Sequence, residues 1–188
     1  GFGYADMEVE KEASPETIYR IASITKLFTS TAIMQLRDKG KLSIHDPITD
    51  HLDWFEIGEQ KGKPITIENL ITHTSGLPRE AAGPYWTTVK FPSKEEIIQN
   101  LPNQEHPLNP WRKWKYSNLA LSLAGYIVEE ASGVPYEDYV ETNVFKPLGM
   151  NDTFIKDVPR DHPRLAKGYG RRMPDGSREI SEYTSSRG

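Results

Sequence analysis

The sequence predicts a mostly helical chain with strand material at both ends, of the α+β or α/β class. Three observations predict it. Apolar residues recur at spacings of three and four from Ser23 to Lys39 and again from Asn118 to Ala131. The opening Gly1–Asp6 and the late stretch Leu165–Arg171 have strand-like composition. Glycine and proline punctuate the intervals between helices, and no internal repeat or low-complexity tract appears.

In chain order, residues 1–20 give an opening strand, a Glu/Lys-rich turn from Glu8 to Glu16, and a second short strand at Thr17–Arg20. The first long helix runs from Ser23 to Lys39, with Ile24, Leu27, Phe28, Thr31 and Met34 as its apolar stripe and Gly40 as its stop. After a proline-broken connection, Ile65–Ile71 reads as a short helix with Thr66 as its cap. Ser93-Lys94-Glu95-Glu96 fits a capping box and opens another helix. In the helix over Asn118–Ala131, Leu119, Leu123, Tyr126, Ile127 and Ala131 share one face, and Gly133 closes it. Pro135 starts a further helix reaching about Thr142.

Composition narrows the function. The 188 residues carry 23 Lys+Arg against 27 Asp+Glu, a formal net charge of −4 without a basic cluster, which argues against nucleic acid as a partner. Cysteine is absent, so disulfides, thiolate nucleophiles and zinc knuckles are excluded. His45, His51, His73, His106 and His162 show no ligand spacing, so neither metal nor other cofactor is expected. No apolar run reaches 18 residues, the length a spanning helix needs. Both ends read as the interior of a longer chain. No targeting segment can be judged, and a periplasmic or secreted bacterial protein is the placement favoured.

Three short runs could carry chemistry. In Ser23-Ile24-Thr25-Lys26, residues three apart share a helical face, so a hydroxyl and an amine can meet near a helix start, whose positive dipole end favours a developing anion. A serine needs a neighbouring base to become a nucleophile, and a partly desolvated lysine can serve. Taken alone, this run reads more simply as a capping serine and a solvated lysine. In Tyr116-Ser117-Asn118, a tyrosine near a cation can relay a proton and an asparagine can orient a lysine or bind an amide. The simpler reading makes Ser117 or Asn118 an N-cap. In His73-Thr74-Ser75-Gly76-Leu77-Pro78 the residues suit a tight turn, and His73 there is expected to hydrogen-bond backbone groups rather than act as a base.

In this order, the runs resemble the serine β-lactamase and penicillin-binding-protein superfamily, in its branch of class C β-lactamases, D,D-peptidases and related esterases. The resemblance covers nearly the whole chain: Ile18–Lys26, Gly40–Pro47, Ile67–Pro78, Trp114–Asn118 and Pro147–Met150 each look like a family segment. It implies an α+β fold of the β-lactamase/transpeptidase type, with residues 1–188 as one catalytic domain whose antiparallel sheet is incomplete. Residues 1–40 would give strands and the nucleophile helix, 41–160 a mostly helical region, and 161–188 the start of a return to the sheet.

The resemblance implies a serine hydrolase acting through an acyl-enzyme on a β-lactam, a D-Ala-D-Ala-type peptide or an ester. Ser23 would attack and supply half the oxyanion hole from its N–H. Lys26 and Tyr116 would share the proton work, and Asn118 would hold Lys26 and contact the substrate amide. There are two departures from the pattern. Asn109-Pro110-Trp111-Arg112 replaces an expected Pro-Gly turn, and the third motif, Lys-Thr-Gly or His-x-Gly, is absent from this chain. The alternative is therefore a non-catalytic or penicillin-binding module that needs a complementing chain, or one that self-associates through an exposed strand edge. A nucleotide site at Gly1-Phe2-Gly3 or Gly168-Tyr169-Gly170 is set aside, because neither extends to a phosphate-binding loop.

Overall fold

A computed structural model describes residues 1–181 apart from Lys61, Pro84, Val89, Asp157 and Arg160. The described chain divides into two compact units, residues 23–151 and a second formed by residues 1–22 with the stretch from Asp152 onward.

The second unit holds the strand material. β1 (Tyr4–Asp6) pairs antiparallel with β2 (Lys11–Glu12) through a hairpin in which Glu10 takes φ 52. β2 thus lies within the stretch expected to be a turn. The expected strands at Thr17–Arg20 and Leu165–Arg171 are reduced to a parallel bridge between Ile18 and Leu165 and an antiparallel one between Tyr169 and Ile180. Their residues are mostly exposed or half-exposed, so no apolar face enforces a longer pairing. The Ala5 carbonyl accepts from the Lys167 N–H, which gives β1 a backbone partner besides β2. The Lys167 ammonium lies 2.8 Å from Asp6 and 2.6 Å from Glu8. Its hydrogen bond holds the Asp6 carboxyl below its ordinary value.

The helical unit is built on α1 (Thr25–Asp38) and α5 (Asn118–Ser132), with α2 (Ile67–Ile71), α3 (Tyr85–Thr88), α4 (Lys94–Asn100) and α6 (Tyr136–Val140). α1 contains no glycine or proline. It ends with Gly40 left-handed, the Lys41 N–H reaching the Leu36 carbonyl and the Gly40 N–H the Arg37 carbonyl, a Schellman closure. Thr66 caps α2 and Ser93 forms a capping box, both as expected, and Thr66 too closes a full box, with Asn69 and Glu96 as the returning partners. α5 starts on Ser117, whose hydroxyl accepts from the Ala120 N–H, and stops at left-handed Gly133. α6 continues beyond its expected end as a π turn over Glu141–Phe145.

α1 packs on α5 and α6, and α2 on α5. Leu119, Leu123 and Ile127 of α5 are buried as expected, joined by Ala120, Leu121, Ala124 and Val128. Burying each of the large side chains is worth roughly 1.5–3 kcal/mol. On α1 the outcome differs from the reading. The buried face is Thr29, Ala32, Ile33 and Leu36, while Ile24 and Leu27 are 55% and 65% exposed. The helix is apolar on two sides, so periodicity alone could not say which side meets α5. Phe28 sits at the margin, edge-on to Phe145 with ring centroids 5.1 Å apart, and the Thr29 hydroxyl lies 2.8 Å from the half-buried Tyr136 phenol.

After α2, the chain turns at Gly76, which has φ +76. A Cβ there would stand 1.9 Å from the Leu108 carbonyl oxygen, so both backbone conformation and space require glycine. In Gly76→Ala the left-handed backbone alone costs about 1–2 kcal/mol, and thermal unfolding should move down by about 2–8 °C or more. An unchanged melting temperature would show that neither the left-handed backbone nor the close approach of the 108 segment requires glycine there.

Candidate active site

Ser23 lies in the single 3-10 turn Ala22–Ile24 that leads into α1, one turn ahead of Lys26 on the helix proper. Ala22 takes φ 45, a left-handed conformation that non-glycine residues adopt at a cost, immediately before the serine. The Ser23 side chain is exposed. Its Oγ lies 2.6 Å from the Tyr116 hydroxyl and accepts from the Lys26 Nζ at 3.3 Å. The ammonium also stands 5.1 Å from the Tyr116 ring centroid. Three of the four residues singled out in the sequence therefore converge on one oxygen.

The fourth does not join them. The Asn118 Nδ2 donates to Glu80 Oε1 at 2.7 Å, and among the described residues no hydrogen bond links Asn118 to Lys26. The Asn118 amide is thus turned to Glu80 rather than to Lys26 in this structure. The reason lies in the turn before α5: the Asn118 N–H donates to the Arg79 carbonyl at 2.7 Å, which brings the neighbouring carboxylate within reach of its amide.

Arg79 and Glu80 were not read from the sequence, although they directly follow the His73–Pro78 run. The Arg79 guanidinium carbon stands 5.1 Å from the Tyr116 ring centroid, and its Nε lies 3.4 Å from Glu80. Burial opposes ionisation of the Tyr116 phenol. The hydrogen bonds of Lys26 and Ser23, with the charges of Lys26 and Arg79, outweigh it and hold the phenol below its ordinary value.

The segment bearing Tyr116 is held by the turn bearing His73. Trp111 N–H donates to the Thr74 carbonyl at 2.8 Å, and Lys115 N–H donates to that of His73 at 2.8 Å. The Lys115 Nζ donates to the Leu77 carbonyl at 2.7 Å and the Ser117 hydroxyl to that of Pro78 at 2.6 Å. Trp111 takes φ 66, so the conformation a Pro-Gly turn would have supplied is reached here by a tryptophan. His73, as expected, meets the backbone: its Nδ1 accepts from the Ser117 N–H at 3.2 Å. Among the described residues no cluster of three or more His, Asp or Glu is arranged to hold a metal ion.

The sequence matches the family model described as Beta-lactamase over residues 1–188, and the chain belongs to that family. It is 34% identical over 183 residues, 97% of this chain and 44% of the other, to a Bacillus subtilis (strain 168) protein named "Putative penicillin-binding protein PbpX". The fold is similar to that of an octameric penicillin-binding protein homologue from Pyrococcus abyssi, with a TM-score of 0.80 and 31% identity over 99% of this chain and 44% of that one. It is also similar to a beta-lactamase/D-alanine carboxypeptidase from Yersinia pestis solved with citrate, with a TM-score of 0.79 and 32% identity over 89% of this chain and 49% of that one. The chain thus spans less than half the length of these relatives.

Proposed function

We propose that the chain supplies the acylating centre of a serine hydrolase, with Ser23 as nucleophile and Lys26 and Tyr116 as its proton relay. The observation that carries this reading is the Ser23 oxygen placed 2.6 Å from the Tyr116 hydroxyl and 3.3 Å from the Lys26 Nζ. In the reaction, Ser23 Oγ bonds to the carbonyl carbon of a β-lactam, a D-Ala-D-Ala-type peptide or an ester. Its proton passes to the relay and then to the departing nitrogen or oxygen. Water afterwards cleaves the acyl-enzyme. The depressed phenol favours Tyr116 as the group that takes the proton, with Lys26 stabilising the charge. Half the oxyanion hole is the Ser23 N–H, and a missing second donor costs about 10²–10³ in rate. Asn118, turned toward Glu80, is placed in substrate binding rather than in the relay.

A further proposal concerns cover for α1. Its second apolar face leaves Ile24 and Leu27 more than half exposed beside Thr31 and Met34. We propose that activity requires this face to be covered, by a complementing polypeptide segment or by a second copy of the chain. The octameric state of the Pyrococcus homologue favours considering self-association.

Incubation of the full-length protein with a penicillin or a fluorophosphonate should add mass to the peptide containing Ser23. Labelling that persists in Ser23→Ala would overturn the assignment. Lys26→Ala and Tyr116→Phe should each slow acylation by about 10²–10⁴, the range of positioned acid–base groups. The double variant should lose little more than either single one, because groups acting as a unit are non-additive. Losses that multiply would mean two independent roles. For the α1 face, native mass spectrometry of residues 1–188 should find association, reduced in Leu27→Glu, or a monomer without turnover. A monomer that hydrolyses substrate unaided sinks the requirement for cover.

A further inference from the structure

His73 has left-handed backbone, φ 58, a state uncommon outside glycine that histidine adopts more readily than most side chains. That conformation aims the imidazole back at the segment that the turn grips. Its ring centroid lies 4.6 Å from that of Tyr116, tilted by 34°, and 5.9 Å from that of Trp114, edge-on. Its Nδ1 accepts the Ser117 N–H, the peptide directly after Tyr116, at 3.2 Å. An accepting Nδ1 carries no proton, so the neutral ring is the Nε2–H tautomer. One side chain thus touches both the phenol and the backbone that follows it.

We infer that His73 is a positioning residue for Tyr116, its neutral imidazole fixing the phenol at Ser23, and that protonation of His73 releases that hold and slows acylation. The inference rests on the reading of Tyr116 as part of the relay. Protonation at Nδ1 converts the acceptor into a donor, so the Ser117 N–H loses its partner. It also places a cation within the field of Lys26. Lys26 of α1 is the charge that acts on the ring and Tyr116 is the titratable group packed on it; Lys115 meets His73 through its backbone N–H, its ammonium bonding the Leu77 carbonyl, and Arg79 stands against the phenol. Lys26 opposes a further positive charge there. Burial first, and the Lys26 charge second, keep the imidazole below its ordinary value of 6.5, which agrees with a ring that stays neutral at physiological pH.

The sign for stability follows from the same shift. The unfolded chain binds this proton near pH 6.5, whereas the folded chain binds it only at lower pH. Below 6.5 the folded state therefore loses stability on this account, until the folded pKa is passed; above 6.5 His73 adds no pH dependence.

Nitrogen-15 NMR of the full-length protein should show His73 as the Nε2–H tautomer, titrating below 6.5. The acid limb of Ser23 acylation by a fluorophosphonate should contain that same ionisation. His73→Asn tolerates left-handed backbone and offers a carbonyl to the Ser117 N–H, but does not titrate. It should keep more activity than His73→Ala and lose that ionisation from its acid limb. His73→Ala, lacking both ring and acceptor, should slow acylation by about 10²-fold, the scale of a 1 Å misplacement. An Nδ1–H tautomer, a pKa at or above 6.5, or an acid limb unchanged in His73→Asn overturns the inference. These results leave the relay reading standing if Tyr116→Phe remains slow. Acylation at the wild-type rate in Tyr116→Phe overturns the relay reading, and this inference with it.

Discussion

The grip of one turn on one short segment is the constraint from which the site follows. Residues 111–118 are held by hydrogen bonds to the run His73–Arg79, through four backbone N–H groups, a lysine ammonium and a serine hydroxyl. Each such bond contributes only about 0.5–1.5 kcal/mol net, and those at the buried Ser117 and Leu77 cost more to leave unmade than they gain when made. Gly76 lets the backbones approach, and the fully buried Ser75 receives the His106 Nε2 on its carbonyl. The turn is anchored behind by Asn69, wholly buried, whose amide bonds Thr66 and Thr74. Tyr116 is thereby a rigid fixture presented to the start of α1.

The same segment serves two purposes at adjacent residues. Ser117 turns inward, donates to the Pro78 carbonyl and caps α5, while Tyr116 turns to Ser23 and Asn118 to Glu80. The helix that supplies the core is therefore in register with the phenol that meets Ser23. α5 in turn is the surface on which α1 packs through Ala32, Ile33 and Leu36, so Lys26 and Ser23 are carried to the phenol by core packing. Loops positioned by such a scaffold hold geometry better than loops alone.

Electrostatics gives the trio its chemical direction. Two cations, Lys26 and Arg79, flank the Tyr116 ring, each about 5 Å from its centroid. Arg79 is tied to Glu80, which also engages Asn118, so charge is shared around the rim of the site. A phenol in this setting gives up its proton more readily than one in water, despite partial burial. Under the proposed reading, the Tyr116 phenol beside Lys26 takes the Ser23 proton without histidine as base.

Much of this was legible in the residues. Capping at Thr66, Ser93 and Ser117 and the stops at Gly40 and Gly133 are local chemistry, decided within a few positions of the chain. The meeting of Ser23 with Lys26 is local too, because helical spacing sets it. The arrival of Tyr116 at Ser23 was implied only by family resemblance, since no local rule joins residues so far apart in sequence. Tertiary structure decided the rest. It turned Asn118 to Glu80, through a backbone bond from position 118 to position 79 that no spacing encodes. It set His73 against Tyr116, and it replaced the expected pairing at Thr17–Arg20 with a single bridge. It also chose which apolar side of α1 faces α5, because a helix apolar on two sides is ambiguous until a partner helix fixes its rotation.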